Sequence, residues 1–148
     1  MASTGSAAAP GLLIVEDEPN LSRILEEHFT SLGYQVVCAD NGSEALRQVM
    51  VTDFDAVICD MVMPRMAGDM FYVAVQRIKP ALCERFVFVT GHGESPGVRE
   101  FLAGVSERVI AKPFNLDDLT EAVRLILRAR IERRGDGRGH QDPMATAG

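Results

Sequence analysis

Short apolar runs alternate along this chain with stretches in which apolar residues return at helical spacing. Leu12-Leu13-Ile14-Val15, Tyr34 to Ala39, Phe54 to Cys59, Phe86-Val87-Phe88-Val89 and a less apolar run inside Val105 to Ala111 each have the length of a strand. Nearly continuous apolar strands of this kind are buried on both faces, as in a parallel sheet. Between them the period changes to that of a helix. Pro19 suits the first turn of a helix on which Leu21, Ile24, Leu25, Phe29 and Leu32 recur, and Gly33 suits its stop. Ser43 to Val51 predicts a second helix, and Gly68 to Lys79 a third that Pro80 ends. The helix breakers of Gly91-His92-Gly93-Glu94-Ser95-Pro96-Gly97 leave about Val98 to Ala103 for a short fourth. From Leu116 the stripe Leu119, Val123, Ile126 and Leu127 predicts a last helix that reaches Glu132 or Arg133.

Five strands alternating with five helices predict an α/β fold. Right-handed crossovers give the doubly wound, flavodoxin-like (βα)5 arrangement, a parallel five-stranded sheet in the order 2-1-3-4-5 with its mouth between the first and third strands. The 148 residues and 47% hydrophobic content fit one domain, expected over 11–134, with a flexible tail at 1–10 and a disordered one at 135–148. No second, output domain is expected beside it. The first residues lack the basic and apolar segments of a signal peptide, and no run is long enough to span a bilayer. A soluble, cytoplasmic protein without membrane contact is expected. Cys38, Cys59 and Cys83 are odd in number and set in or near apolar runs, which suits reduced, packed thiols.

Charge is uneven. Six arginines stand against Glu132 and Asp136 between Arg124 and Arg138, a local balance of +4 that leaves −10 for the rest of a chain of net charge −6. Arginines at a helix C-terminus complement its dipole, so direct nucleic-acid binding is not expected.

Four of the five strands end in a polar group at the same end of the sheet: Glu16-Asp17 after the first, Asp60 after the third, Thr90 after the fourth and Lys112 after the fifth. Three carboxylates in one mouth repel unless a cation intervenes, and hard oxygen ligands suit magnesium. With Mg2+ present, the Asp60 carboxylate is free for in-line attack on a phosphoryl group. Lys112 supplies a compact positive charge and Thr90 a hydroxyl donor.

The ordered set Glu16-Asp17, Asp60-Met61-Val62-Met63-Pro64 with Gly68, Thr90-Gly91 and Lys112-Pro113-Phe114 resembles the receiver domain of bacterial response regulators, across roughly Gly11 to Arg133. The resemblance implies that Asp60 is the phosphoacceptor and that Asp17, Asp60 and the Val62 carbonyl contact Mg2+, with Glu16 acting on it through water. It implies that Thr90 and Lys112 sense the phosphoryl group and that the Lys112-Pro113 bond is cis. The implied partner is a histidine kinase or a histidine phosphotransfer protein, meeting the helix of Leu21, Ile24 and Leu25. The implied role is a signalling phosphoacceptor, not an enzyme in the ordinary sense, that catalyses only its own phosphorylation and dephosphorylation.

Departures from the family pattern carry further information. Val109 stands three residues before the lysine, where many receivers have tyrosine or phenylalanine, so switching needs other contacts. His92 and Val62, each two residues beyond Thr90 and Asp60, occupy positions that influence how long the acyl phosphate survives. The short fourth helix resembles receivers attached to hybrid sensor kinases, and a monomer is expected. His28 lacks the context of a phosphorylated histidine, and its expected role is packing or lining the docking face. An aspartyl-phosphate phosphatase of similar architecture would have a second Asp where Val62 stands, and a flavin protein would not place Glu16-Asp17-Glu18 against a phosphate. A pseudo-receiver that binds partners without taking phosphate is the alternative. Relay to a phosphotransfer protein and phosphorylation-dependent binding of a partner both remain open as outputs.

Overall fold

A computed structural model describes residues 8–63, 65–91, 95–105 and 108–139, without the side chains of 133–139. The elements are β1 (Gly11–Val15), α1 (Pro19–Ser31), β2 (Gln35–Ala39), α2 (Gly42–Val51), β3 (Ala56–Asp60), α3 (Gly68–Ile78), a 3₁₀ turn (Pro80–Arg85), β4 (Phe86–Thr90), α4 (Pro96–Ala103), β5 (Val109–Ala111) and α5 (Leu116–Gly139). All strand pairs are parallel, and the order is β2-β1-β3-β4-β5, the flavodoxin-like arrangement expected. Register places Val15 beside Cys59, Asp60 beside Val89 and Thr90 beside Ala111, so the chain leaves β1, β3, β4 and β5 at one level.

Side chains alternate between the two faces of each strand. Leu13, Val15, Val57, Cys59, Phe86 and Phe88 pack under α2, α3 and α4. Leu12, Ile14, Ala56, Ile58, Val87 and Val89 pack under α1 and α5. Helix ends follow local rules. Pro19 opens α1, with the Glu18 side chain accepting from the Asn20 and Leu21 N–H groups, and Gly33, at φ 97°, follows its end. Asn41 caps α2 by accepting the Glu44 N–H at 2.9 Å, and Ser95 caps α4 by accepting the Val98 N–H at 3.3 Å. That cap starts α4 at Pro96, two residues before the expected Val98, because proline is tolerated in a first turn whose N–H groups lack intrahelical partners.

Three features lie outside the sequence reading. Pro80, read only as the end of α3, also begins the 3₁₀ turn. Helix α5 continues to Gly139, past the stop expected at Glu132 or Arg133, because the end of an apolar stripe marks where packing stops and not where the backbone ladder must. The order also reaches back to Pro10, assigned to the flexible tail, whose carbonyl accepts the Gln35 N–H at 2.9 Å. The tail at 140–148 lies outside the described residues. Among the described residues no helix is long and apolar enough to cross a membrane. Cys38, Cys59 and Cys83 are free, and burial pushes each thiol up, which keeps it protonated.

Candidate functional site

The acidic residues meet where β1 and β3 end. Oxygens of Glu16, Asp17 and Asp60 lie within 4.8 Å of one another; Glu16 and Asp60 are buried and Asp17 is exposed. Lys112 enters from the end of β5, and its Nζ lies 3.1 Å from Asp60 Oδ2 and 3.6 Å from Glu16 Oε1. The other Asp60 oxygen, Oδ1, accepts the Val62 N–H at 3.0 Å. Glu16 Oε2 accepts the Glu18 N–H at 3.0 Å. Both buried carboxylates are therefore oriented by a backbone amide and share one ammonium.

This sharing leaves the charge unbalanced, and the titration of the groups reflects it. Burial pushes the Glu16 carboxyl up to about 7; the Asp60 charge adds to this, while the Glu18 N–H and Lys112 oppose it. Burial disfavours the Lys112 ammonium, but the hydrogen bond it donates to Asp60 and the charges of Asp60 and Glu16 outweigh it and raise its pKa. Three carboxylates with one shared cation form a donor set that a second, hard cation would satisfy, which is the chemistry of Mg2+.

Backbone contacts hold the rim. Lys112 N–H donates to the Thr90 carbonyl at 2.6 Å, and Met61 N–H to the Val89 carbonyl at 3.1 Å. The Lys112-Pro113 bond is cis, as the resemblance implied. A Cβ at Gly68 would lie 2.8 Å from the Asp60 carbonyl oxygen and 2.7 Å from Met61 Sδ, so only glycine lets α3 begin this close to the acceptor strand. Thr90 Oγ1 is buried and makes no hydrogen bond, a donor left uncommitted beside the mouth.

Of the residues singled out from sequence, Glu16, Asp17, Asp60 and Lys112 are thus brought together, and Thr90 sits on the strand next to Asp60. Val62 is half-exposed, and its N–H faces Asp60. His92 lies outside the described residues. Val109 is partly buried against the cluster under α4, paired with Phe88. There Phe88 packs edge-on against Phe101 of α4 with ring centres 5.3 Å apart, and Tyr72 of α3 lies 5.7 Å from Phe88 and 5.1 Å from Phe101. Aromatic packing beside position 109 thus comes from α3, β4 and α4. The spacing of Phe86, Phe88 and Thr90 on one face of β4 was the available signal for it.

His28 packs, as expected, and also bridges α1 and α5. Its Nε2 lies 2.6 Å from Thr120 Oγ1, and Thr120 donates its hydroxyl to the Leu116 carbonyl at 2.7 Å, so His28 must be the donor of the pair. Sequence reasoning missed Thr120, whose only signal was a hydroxyl beside Leu119 in an apolar stripe. Leu21, Ile24, Pro113, Phe114 and Leu116 line an apolar groove of about 530 Å³ that reaches Lys112 at the rim.

Comparison with known proteins agrees with this geometry. Residues 12–124 match the model of the response regulator receiver domain. The transcriptional regulatory protein GlrR of Escherichia coli strain K12 is 33% identical over 115 residues, 76% of this chain and 25% of that protein. The chain spans between a quarter and about half of the curated relatives it matches. Among solved structures, the response regulator TrrA of Thermotoga maritima, in complex with Mg2+-BeF, is 28% identical with a TM-score of 0.64, covering 80% of this chain and 99% of that one. The receiver domain of a signal transduction histidine kinase from Syntrophus aciditrophicus is 27% identical with a TM-score of 0.67, covering 82% of this chain and 92% of that one. Members of this family are signalling phosphoacceptors of two-component systems that interact with histidine kinases or phosphotransfer proteins. The chain belongs to the response regulator receiver domain family.

Proposed function

We propose that Asp60 accepts a phosphoryl group from a phosphohistidine donor, and that the phosphorylated chain either relays it or changes its affinity for a partner. The observation that carries this reading is the arrangement of Asp60 itself: a buried carboxylate held by the Val62 N–H at one oxygen and by Lys112 at the other, beside Glu16 and Asp17. Glu16, Asp17, Asp60 and the Val62 carbonyl would hold Mg2+, which when bound neutralises the mouth and draws in phosphoryl oxygens.

A carboxylate oxygen of Asp60 forms the bond to phosphorus as the N–P bond of the donor breaks, and the donor imidazole takes a proton. Fixed at both oxygens, Asp60 needs no reorientation to attack in line. Lys112 then moves its charge from the carboxylate to a phosphoryl oxygen, and the uncommitted Thr90 hydroxyl donates to another. His92 acts on the lifetime of the product by orienting or hindering water, and unchanged phosphate decay in His92→Ala would count against that role. The donor approaches over the groove of Leu21, Ile24 and Phe114, where Ile24 is 48% exposed beside the rim.

Intact-mass measurement after incubation with acetyl phosphate and magnesium tests the reading. One added phosphoryl group, lost in Asp60→Asn and in excess chelator, is the expected result. A folded protein that takes phosphate neither from acetyl phosphate nor from a histidine-phosphorylated protein would instead be a phosphorylation-independent adaptor.

A further inference from the structure

The groove beside Lys112 continues, one helical turn further from the mouth, into a polar bridge. Leu21 and Ile24 form its α1 wall, and Phe114 and Leu116 the wall at the start of α5. His28 stands four residues beyond Ile24 on α1, and Thr120 four residues beyond Leu116 on α5, so each prolongs its own wall by a turn. There His28 Nε2 donates to Thr120 Oγ1 at 2.6 Å, across the crevice between the helices. The same hydroxyl donates to the Leu116 carbonyl at 2.7 Å. Two hydrogen bonds in series therefore run from α1 to a residue that lines the groove.

Packing on the sheet leaves the spacing of these walls unset. Leu25 and Phe29 of α1, and Leu119 and Val123 of α5, are buried against the strands, which fixes how high each helix sits. Aliphatic burial has no preferred direction, so it does little to fix one helix sideways against the other. A hydrogen bond fixes both distance and angle. Here its two ends are preset. The His28 ring packs edge-on against the buried Phe29 ring, with ring centres 5.0 Å apart, and Thr120 is buried with its own proton committed to Leu116.

We propose that His28 and Thr120 are positioning residues for phosphoryl transfer from a protein donor. Their bond holds Leu21 and Ile24 at the distance from Phe114 and Leu116 that admits an aliphatic stripe beside the donor's phosphohistidine. The role presupposes Asp60 as the acceptor and this groove as the donor's approach. Without the bond, molecules with mis-spaced walls share the population, and the donor's apparent affinity falls with the fraction that stays competent. The net worth of one hydrogen bond corresponds to a fall of about 5-fold. The reacting end is untouched, because the Thr90 carbonyl holds the Lys112 N–H while Asp60 and Glu16 hold its ammonium. A small donor that does not fill the groove is indifferent to the pair.

The test follows transfer from a purified histidine phosphotransfer protein, phosphorylated on its histidine, as a function of donor concentration, beside uptake from acetyl phosphate. Thr120→Val and His28→Leu should each raise the donor concentration for half-maximal rate by about 5-fold. The rate at saturation and the uptake from acetyl phosphate should stay at wild-type values. The double variant should match the singles, since either change already removes the bond. Thr120→Ser, which keeps the hydroxyl, should restore the wild-type value. Unchanged half-saturation in the single variants would overturn the role. So would additive losses in the double variant, no rescue by Thr120→Ser, or a parallel fall in acetyl phosphate uptake, the mark of a generally loosened domain. A wild-type chain loaded by acetyl phosphate but not by the protein donor removes the donor's approach itself. Wild-type transfer with unaltered variants removes only the part given to His28 and Thr120.

Discussion

The two faces of the sheet meet the same mouth with different side chains. By strand alternation Glu16, Asp60 and Lys112 continue the rows of Leu12 and Ile14, of Ala56 and Ile58, and of Ile110, which pack aliphatic side chains under α1 and α5. Thr90 continues the row of Phe86 and Phe88 on the other face, where rings from α3 and α4 join them. The ion-paired groups thus stand over close-packed aliphatic rows, and the uncommitted hydroxyl stands over a column of rings. A receiver must hold its acceptor still and let something else move. Under the proposed function the α1/α5 face takes the first task and the ring column under Thr90 the second, with Phe101 and Tyr72 packed on Phe88 beside Val109.

Removing the column should give the largest effect. Phe88→Ala deletes a fully buried ring that touches Phe86, Tyr72 and Phe101, and a loss of about 3–5 kcal/mol in urea unfolding is expected. The fraction still folded should take phosphate on Asp60; failure to do so in folded protein would erase the division between the faces. Lys112→Met inverts the test. It should leave the column intact but slow phosphoryl uptake from acetyl phosphate by about 100-fold, because Asp60 and the incoming phosphate then lack their cation. Unaltered uptake would show that Lys112 balances charge only.

Glu16 sharpens the comparison through pH. Its folded pKa, pushed up to about 7, exceeds that of an ordinary carboxyl, so the native state binds the extra proton. Its contribution is fully present below about pH 4.5 and is lost as pH rises through 7. The metal-free protein should therefore lose on the order of 2 kcal/mol across that window, and Glu16→Gln should flatten the loss. A wild-type stability curve as flat as that of Glu16→Gln would refute it. The smallest effect belongs to the α1–α5 bridge. Thr120→Val removes the acceptor of the His28 N–H, and since His28 is only half-buried water replaces much of it, giving about 1 kcal/mol in thermal or urea unfolding. A loss as large as that of Phe88→Ala would mean the bridge, and not aliphatic packing, holds that face.

Much of this was legible before any coordinates. The apolar runs at Leu12, Ala56 and Phe86 set strand positions because burial on both faces leaves no polar residue inside them, and their polar ends, with the end of the less apolar run before Lys112, placed Glu16, Asp60, Thr90 and Lys112 together. What was not legible depends on contacts between distant segments. Phe101 and Tyr72 show ordinary helical spacing in sequence, and only the fold brings them to Phe88. Arg85 and Arg108 read as scattered surface charges until the 3₁₀ turn, hidden behind the stop signal of Pro80, brings them to one cleft. The pairing of His28 with Thr120 spans 92 positions, a separation that no local pattern encodes.

The chain has no tryptophan and two tyrosines. Tyr72 sits in the ring column, and Tyr34 packs edge-on against Phe29 on the opposite face, with ring centres 5.4 Å apart. Each face therefore carries its own natural chromophore. In Tyr34→Phe the tyrosine fluorescence comes from Tyr72 alone, and in Tyr72→Phe from Tyr34 alone, so one spectrometer can follow the two halves of the molecule separately without any attached label.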